Sequence, residues 1–213
     1  MTTVSVCIGT FGSLATWAPM ARRAICSAER QTLAPVSVTW VHQSTLAKAR
    51  NAAASVSTGE WLVFCDADDE LANTHCAEVA RVAATIEGDG LLQPLTLGVR
   101  ADGVVDAKAI HIPHGSMIDR NYLVIGTAIR ASQFKRLGGF DEYPCYEDWD
   151  LYLRAVLDGA TVHKSNAVYR VHVNPGSRNQ GHRETQVSTY NTIRSKYLAE
   201  WRRRWPQPAR TRP

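Results

Sequence analysis

Short, almost unbroken apolar runs alternate along this chain with stretches in which apolar residues recur every three or four positions, and that alternation predicts the order of elements. Val4 to Ile8 reads as a buried strand, followed by Gly9-Thr10-Phe11-Gly12, a loop whose backbone can come close to a ligand. Leu14 to Gln31 has helical spacing through Leu14, Trp17, Ala21, Ala24, Ile25 and Ala28, with Pro19 tolerable in the first turn. Val36 to Val41 is a second strand. Ala47 to Val56 is a helix of small residues stopped by Thr58-Gly59, and the run beginning at Trp61 is a third strand. A β-α-β-α-β order with short connections predicts parallel strands joined by right-handed crossovers, the plan of a nucleotide-binding half.

Beyond residue 70 the texture changes. Asn73 is placed to cap a helix from about Thr74 to Ile86, closed by Gly88-Asp89-Gly90. Leu91 to Val99 and Val104 to Ile112 are extended runs around Ala101-Asp102-Gly103, a hairpin turn of the Asp-Gly kind. Asn121 to Arg130 reads as a strand, Ala131 to Leu137 as a short helix, Glu147 to Leu157 as an amphipathic helix, Ala160 to Val173 as extended and Glu184 to Trp205 as a long terminal helix. The expected fold class is α/β, Rossmann-like. It has one domain over residues 1–200 with a mostly parallel central sheet, a smaller antiparallel part and a C-terminal helix at about 184–205. A disordered basic Pro/Arg tail follows at 206–213.

Composition narrows this further. With 213 residues, 45% hydrophobic and 21% charged, the chain suits one well-buried domain. Its five cysteines are scattered among apolar neighbours without a C-x-x-C pair, which predicts buried thiols rather than disulfides or zinc. Residues 201–213 hold five arginines and no acid, so removing them from the net charge of +4 leaves −1 for the rest. A slightly acidic body without interleaved aromatic and basic residues argues against a nucleic-acid partner. Arg202-Arg203-Arg204 between Trp201 and Trp205 suits either a solvated helix end or a peripheral contact with an anionic membrane. Neither end has a bilayer-spanning apolar stretch or a secretory leader, so the expected location is cytoplasmic.

The candidate chemistry starts where the third strand ends, in Asp66-Ala67-Asp68-Asp69-Glu70, four acids within five residues. Ligands of open α/β sheets bind beyond the carboxyl ends of the strands, so a cation and an anionic ligand are expected here. The oxygens of Asp66 and Asp68 suit Mg²⁺ or Mn²⁺. A capped turn would use the same residue types. A second acidic centre is Gly138-Gly139-Phe140-Asp141-Glu142 followed by Glu147-Asp148-Trp149-Asp150. Capping of a helix start accounts for Glu147 and Asp148 taken alone. Paired with the first cluster, they supply the parts of a metal site plus a separate general base.

Four passages in order make the chain resemble glycosyltransferase family 2, with its GT-A fold: Val4-Ser5-Val6-Cys7-Ile8-Gly9-Thr10-Phe11, Ala49-Arg50-Asn51 before Thr58-Gly59-Glu60-Trp61, Asp66-Ala67-Asp68-Asp69, and Gly138 to Glu142 with Glu147 to Leu151. The resemblance spans residue 4 to about 180. It implies an inverting, metal-dependent transfer of a sugar from a nucleotide-diphosphate sugar to an acceptor hydroxyl on a glycan, a lipid-linked carrier or a protein. Residues 1–98 would form the nucleotide half and 99–183 the acceptor half. It implies Thr10, Phe11, Arg50, Asp66, Ala67 and Asp68 as nucleotide-sugar contacts and Gly139 and Trp149 as acceptor contacts. Asp66, Asp68 and His172 would hold Mn²⁺ or Mg²⁺, and Asp148 would be the base with Glu147 tuning it. His111 and His114 flank a proline and His42, His75, His163 and His182 match no motif, so all six read as surface or structural residues.

One passage departs from the family. After the second strand, where its members usually have a pair of acids, one of which recognises the base, this chain reads Val41-His42-Gln43-Ser44-Thr45. UDP-sugars are the expected donors, with GDP- or dTDP-sugars as alternatives. Two further readings are a sugar nucleotidyltransferase, which would need a basic phosphate loop that Gly9-Thr10-Phe11-Gly12 does not provide, and a catalytically silent nucleotide-sugar binding module.

Overall fold

A computed structural model describes residues 2–100, 103, 105–108, 114–172 and 183–206. The first half follows the apolar pattern. Strand β1 (Val4–Phe11) is buried nearly throughout, as is β3 (Trp61–Asp66), and both lie inside the sheet where neither face meets water. Helix α1 (Leu14–Glu29) begins at Ser13, whose Oγ accepts from the Thr16 N–H, and α2 (Leu46–Ser55) begins at Thr45, whose Oγ1 accepts from the Lys48 N–H. Between them runs β2 (Ser37–Gln43) at the sheet edge. Pro19 falls in the second turn of α1 rather than the first, so the Ala15 carbonyl lacks its helical donor.

After β4 (Glu70–Leu71), helix α3 (His75–Ala83) starts behind Thr74, and no side chain caps it; Asn73 does not take the role expected of it. β5 (Gly90–Val99) and β6 (Val105–Lys108) pair antiparallel around Gly103, as the Asp-Gly turn predicts. Of the strand expected over 121–130 only β7 (Ala128–Arg130) forms. The preceding residues instead pack without a ladder behind a short 3-10 helix (His114–Asp119), with Leu123 and Ile125 buried. Helices α4 (Ala131–Arg136) and α5 (Glu147–Leu157), the long strand β8 (Thr161–His172) and helix α6 (Arg183–Arg204) complete the chain.

Among the described residues one eight-stranded sheet runs β2-β1-β3-β7-β5-β8-β4, with β6 added on β5. β2, β1, β3, β5 and β8 point the same way, and β7, β4 and β6 run against them, so the sheet is mostly parallel with an antiparallel part in its second half. α6 closes the second half. It buries Ile193, Tyr197 and Trp201, stacks Tyr190 on Trp149 at 5.0 Å, and pairs Arg194 with Asp119 at 2.7 Å. No helix among the described residues is long and apolar enough to cross a membrane. The His111 side of the hairpin, residues 173–182 with Asn174 and His182, and the tail at 207–213 lie outside the described residues.

Candidate active site

β3 delivers Asp66 opposite Gly9 of β1, and the chain then turns, with the Asp69 N–H bonded to the Asp66 carbonyl at 3.0 Å. The turn brings one carboxylate oxygen each of Asp66, Asp68 and Asp69 within 4.8 Å of one another. Like charges this close repel, and an all-oxygen donor set of this kind fits a hard divalent cation. The three acids are not equivalent. Asp69 is buried, with its Oδ2 accepting from the Tyr169 hydroxyl at 2.8 Å and its Oδ1 from the His172 N–H at 2.9 Å. Tyr169 in turn accepts the Asp66 N–H at 3.0 Å, so one phenol ties two residues of the turn together. Its ring lies against Gly126, where an added Cβ would come within 2.1 Å of the ring. Burial, with the Asp66 and Asp68 charges added, holds the Asp69 carboxyl well above the ordinary carboxylate range. Ala67 is buried and Asp68 half-exposed, its carbonyl accepting from Arg23 at 2.5 Å.

His172 does not join this cluster. Its Nε2 lies 2.6 Å from Glu70 Oε2, the pairing of β8 with β4 setting Arg170 opposite Glu70 and His172 two residues further along β8; only its backbone reaches Asp69. The imidazole therefore serves the turn, and the expectation of a third metal ligand is corrected.

The second acidic stretch meets the first through Arg50. From α2 the buried guanidinium donates Nη1 to Glu147 Oε1 at 2.7 Å and Nη2 to Asp66 Oδ1, and it lies 5.3 Å from the Phe140 ring centre. Burial disfavours its charge, but the Asp66 and Glu147 carboxylates outweigh that and push its pKa up. Beside this bridge Arg50, Asp66, Asn121, Cys145, Tyr146 and Asp148 line a pocket of about 150 Å³. Asp148 accepts from the Trp149 N–H at 2.8 Å and from Asn121 Nδ2 at 3.3 Å. Burial first, and the neighbouring Glu147 charge second, push the Asp148 carboxyl up to about 6, with Arg50 pulling the other way. Asp150, two residues further on, is fully buried between Arg154 at 2.8 Å and the Tyr197 hydroxyl at 2.8 Å, an anchor for α6.

The remaining expected contacts divide. Phe11 borders a cleft of about 410 Å³ with Ser44, Thr45, Glu142 and Tyr143, at the N-terminus of α2. Thr10 is buried and its hydroxyl is shared between His42 Nδ1 and Trp40 Nε1, each at 3.0 Å, so it braces β2. Trp149 is wholly buried, donating Nε1 to the Met117 carbonyl at 2.7 Å and stacking on Tyr190, which leaves it no surface for an acceptor. Gly139 is buried at φ +78°, and a Cβ there would sit 2.5 Å from Asn51 Oδ1. It packs the turn against α2 and does not line the Asp148 pocket.

Sequence reasoning missed three residues. Asn121 reads only as part of a strand, and nothing near it points to Asp148, 27 positions away. Tyr169 looks like any aromatic on a strand. Tyr146 takes φ 63° and ψ 22°, the left-handed region, which among the described residues no other non-glycine adopts. Such strain is paid for by surrounding structure and is concentrated at functional sites.

The fold matches the crystal structure of S. aureus TarS at a TM-score of 0.58 and 17% identity, over 99% of this chain and 44% of that one. It matches TarS 1–349 in complex with UDP-GlcNAc at 0.57 and 15%, over 96% and 73%, and in complex with UDP at 0.55 and 16%, over 95% and 72%. This chain thus spans less than half of the TarS chain in the first of these structures. No curated protein matches. Residues 19–97, which carry Arg50, Asp66 and Asp68, match the model of glycosyl transferase family 2, a stretch that lies within a fold like that of TarS.

Proposed function

We propose that the chain transfers a sugar from a nucleotide-diphosphate sugar to an acceptor hydroxyl, with inversion at the anomeric carbon. The observation that carries this reading is the convergence of two acidic stretches, about 80 residues apart, on one buried arginine beside a pocket that contains a carboxylate with a pKa near 6. A general base works best with a pKa close to the working pH. Asp148 accepts the proton of the attacking hydroxyl, and Glu147, held by Arg50, keeps negative charge beside it. The nucleotide occupies residues 1–98, its base beside Phe11 and its phosphates towards the N-terminus of α2, which has no acid in its first turn. Mn²⁺ or Mg²⁺ held by Asp66 and Asp68 would act as the Lewis acid for the departing diphosphate. The UDP and UDP-GlcNAc complexes of TarS support a UDP-sugar donor. His42 and Gln43 stand where acids would read the base, so GDP and dTDP are the competitors to test.

Calorimetric titration of UDP, GDP and dTDP, each with and without Mn²⁺, tests the reading. UDP binding strengthened by Mn²⁺ is the expected result. Equal affinity with and without the ion refutes the metal site, and failure of all three nucleotides refutes the transferase.

A further inference from the structure

The wall of the Asp148 pocket contains a polar side chain in direct contact with the carboxylate that the transfer reading leaves without a task. Asn121 lies in the irregular stretch between the 3-10 helix and β7, and its Nδ2 is 3.3 Å from both carboxylate oxygens of Asp148. Its other amide atom, Oδ1, is shielded from water and has no hydrogen-bond partner among the described residues. Buried amides normally satisfy both ends. Turning this one over would set Oδ1 against the carboxylate, acceptor to acceptor, so the charge on Asp148 dictates the orientation and the amide tolerates an orphaned oxygen in return.

We infer that Asn121 is the positioning residue of Asp148, fixing the carboxylate plane in the pocket and supporting its ionised form. The catalytic meaning of that role rests on the transferase reading above. Asp148 also faces Glu147 on its own helix, Arg50 from α2, Asp66 from β3, Cys145 and Tyr146 from the preceding loop, and Tyr152 one turn on. Burial and Glu147 raise its midpoint, while Arg50, the Trp149 N–H and Asn121 lower it. Asn121 is the uncharged side chain in that opposing set, so it can be removed without changing the net charge of the site.

The test is a carbon-detected NMR titration of the Asp148 carboxyl in the full chain, its resonance identified by loss in Asp148→Asn. Asn121→Ala should raise the midpoint by about one pH unit, the scale of one lost hydrogen bond to a charged group. Asn121→Asp, equal in size but with a carboxylate facing a carboxylate, should raise it further, the pair then titrating jointly. If Asn121→Ala does not fold, Asn121→Asp carries the test alone. A midpoint unmoved by the substitutions overturns the inference. UDP titrated into the same wild-type sample separates the two readings: no UDP binding together with a midpoint that follows Asn121 removes the transferase and leaves the control of Asp148 standing.

Discussion

The acids after β3 and the acids opening α5 are the same side chains at similar spacing, yet packing gives them different work. At the strand end, three carboxylates share one tight turn, and the sheet beneath it supplies Tyr169 and the His172 N–H to the innermost, Asp69. At the helix start, the 3.6-residue repeat fans the carboxylates apart: Glu147 to Arg50, Asp148 into the pocket, Asp150 to α6. A turn gathers charges and so suits a cation; a helix start separates them and can leave one carboxylate lightly satisfied, with a pKa suited to taking a proton. Arg50 is the member common to both.

The strongest way to break this comparison is to remove the common member. Arg50→Met leaves Glu147 and Asp66 without their counter-ion, and breaking a buried pair of this kind costs about 3–5 kcal/mol, read as a lower midpoint in urea unfolding. A loss below 1 kcal/mol would mean that the two clusters do not depend on each other. Asp148→Asn should lower sugar transfer by about 10²-fold or more while UDP affinity holds, as for a lost general base. Normal transfer would move the base to Glu147, since Asp150 is sealed beneath α6. Asp68→Asn acts on the other cluster and should erase the gain in UDP affinity that Mn²⁺ provides, leaving the Asp148 titration untouched.

A pH series sharpens the contrast further. The base works ionised, so transfer should fall as pH drops through about 6. Stability runs the opposite way. Because the folded midpoint is raised above the ordinary 3.8, the Asp148 contribution is fully present below about pH 4 and is lost as pH rises through 6. Asp148→Asn should therefore be more stable than wild type at pH 7.5, with the gap closing by pH 4; thermal melts across that range check it, and a constant gap would contradict the raised midpoint. The smallest effect concerns the C-terminal arginines. Replacing exposed Arg202 and Arg203 with serine should abolish sedimentation with anionic vesicles if the helix end docks on a membrane, with no change in UDP binding. Deleting 201–213 would be a poorer test, because Trp201 is part of the core.

Local pattern carried most of the fold. The buried strands β1 and β3, the capped helices α1 and α2 and the Asp-Gly hairpin follow from apolar period and turn chemistry, which act over a few residues. The strand expected over 121–130 shrank to Ala128–Arg130 because its apolar residues are buried by tertiary packing and not by a ladder. The reading of Trp149 as an acceptor contact failed for a related reason: an aromatic beside an acidic motif says nothing about whether α6 will cover it.

The sequence by itself determined which residues carry charge, where the strands end and that two acidic stretches stand at element boundaries, since these depend on residue type and short-range period. Only the tertiary structure decided that Arg50 joins Asp66 to Glu147, that Asn121 faces Asp148, that His172 turns to Glu70 and that Asp150 is an anchor. The physical reason is that the pKa and partner of a carboxylate are set by what is packed within a few ångströms of it, and those neighbours come from up to 103 positions away along the chain.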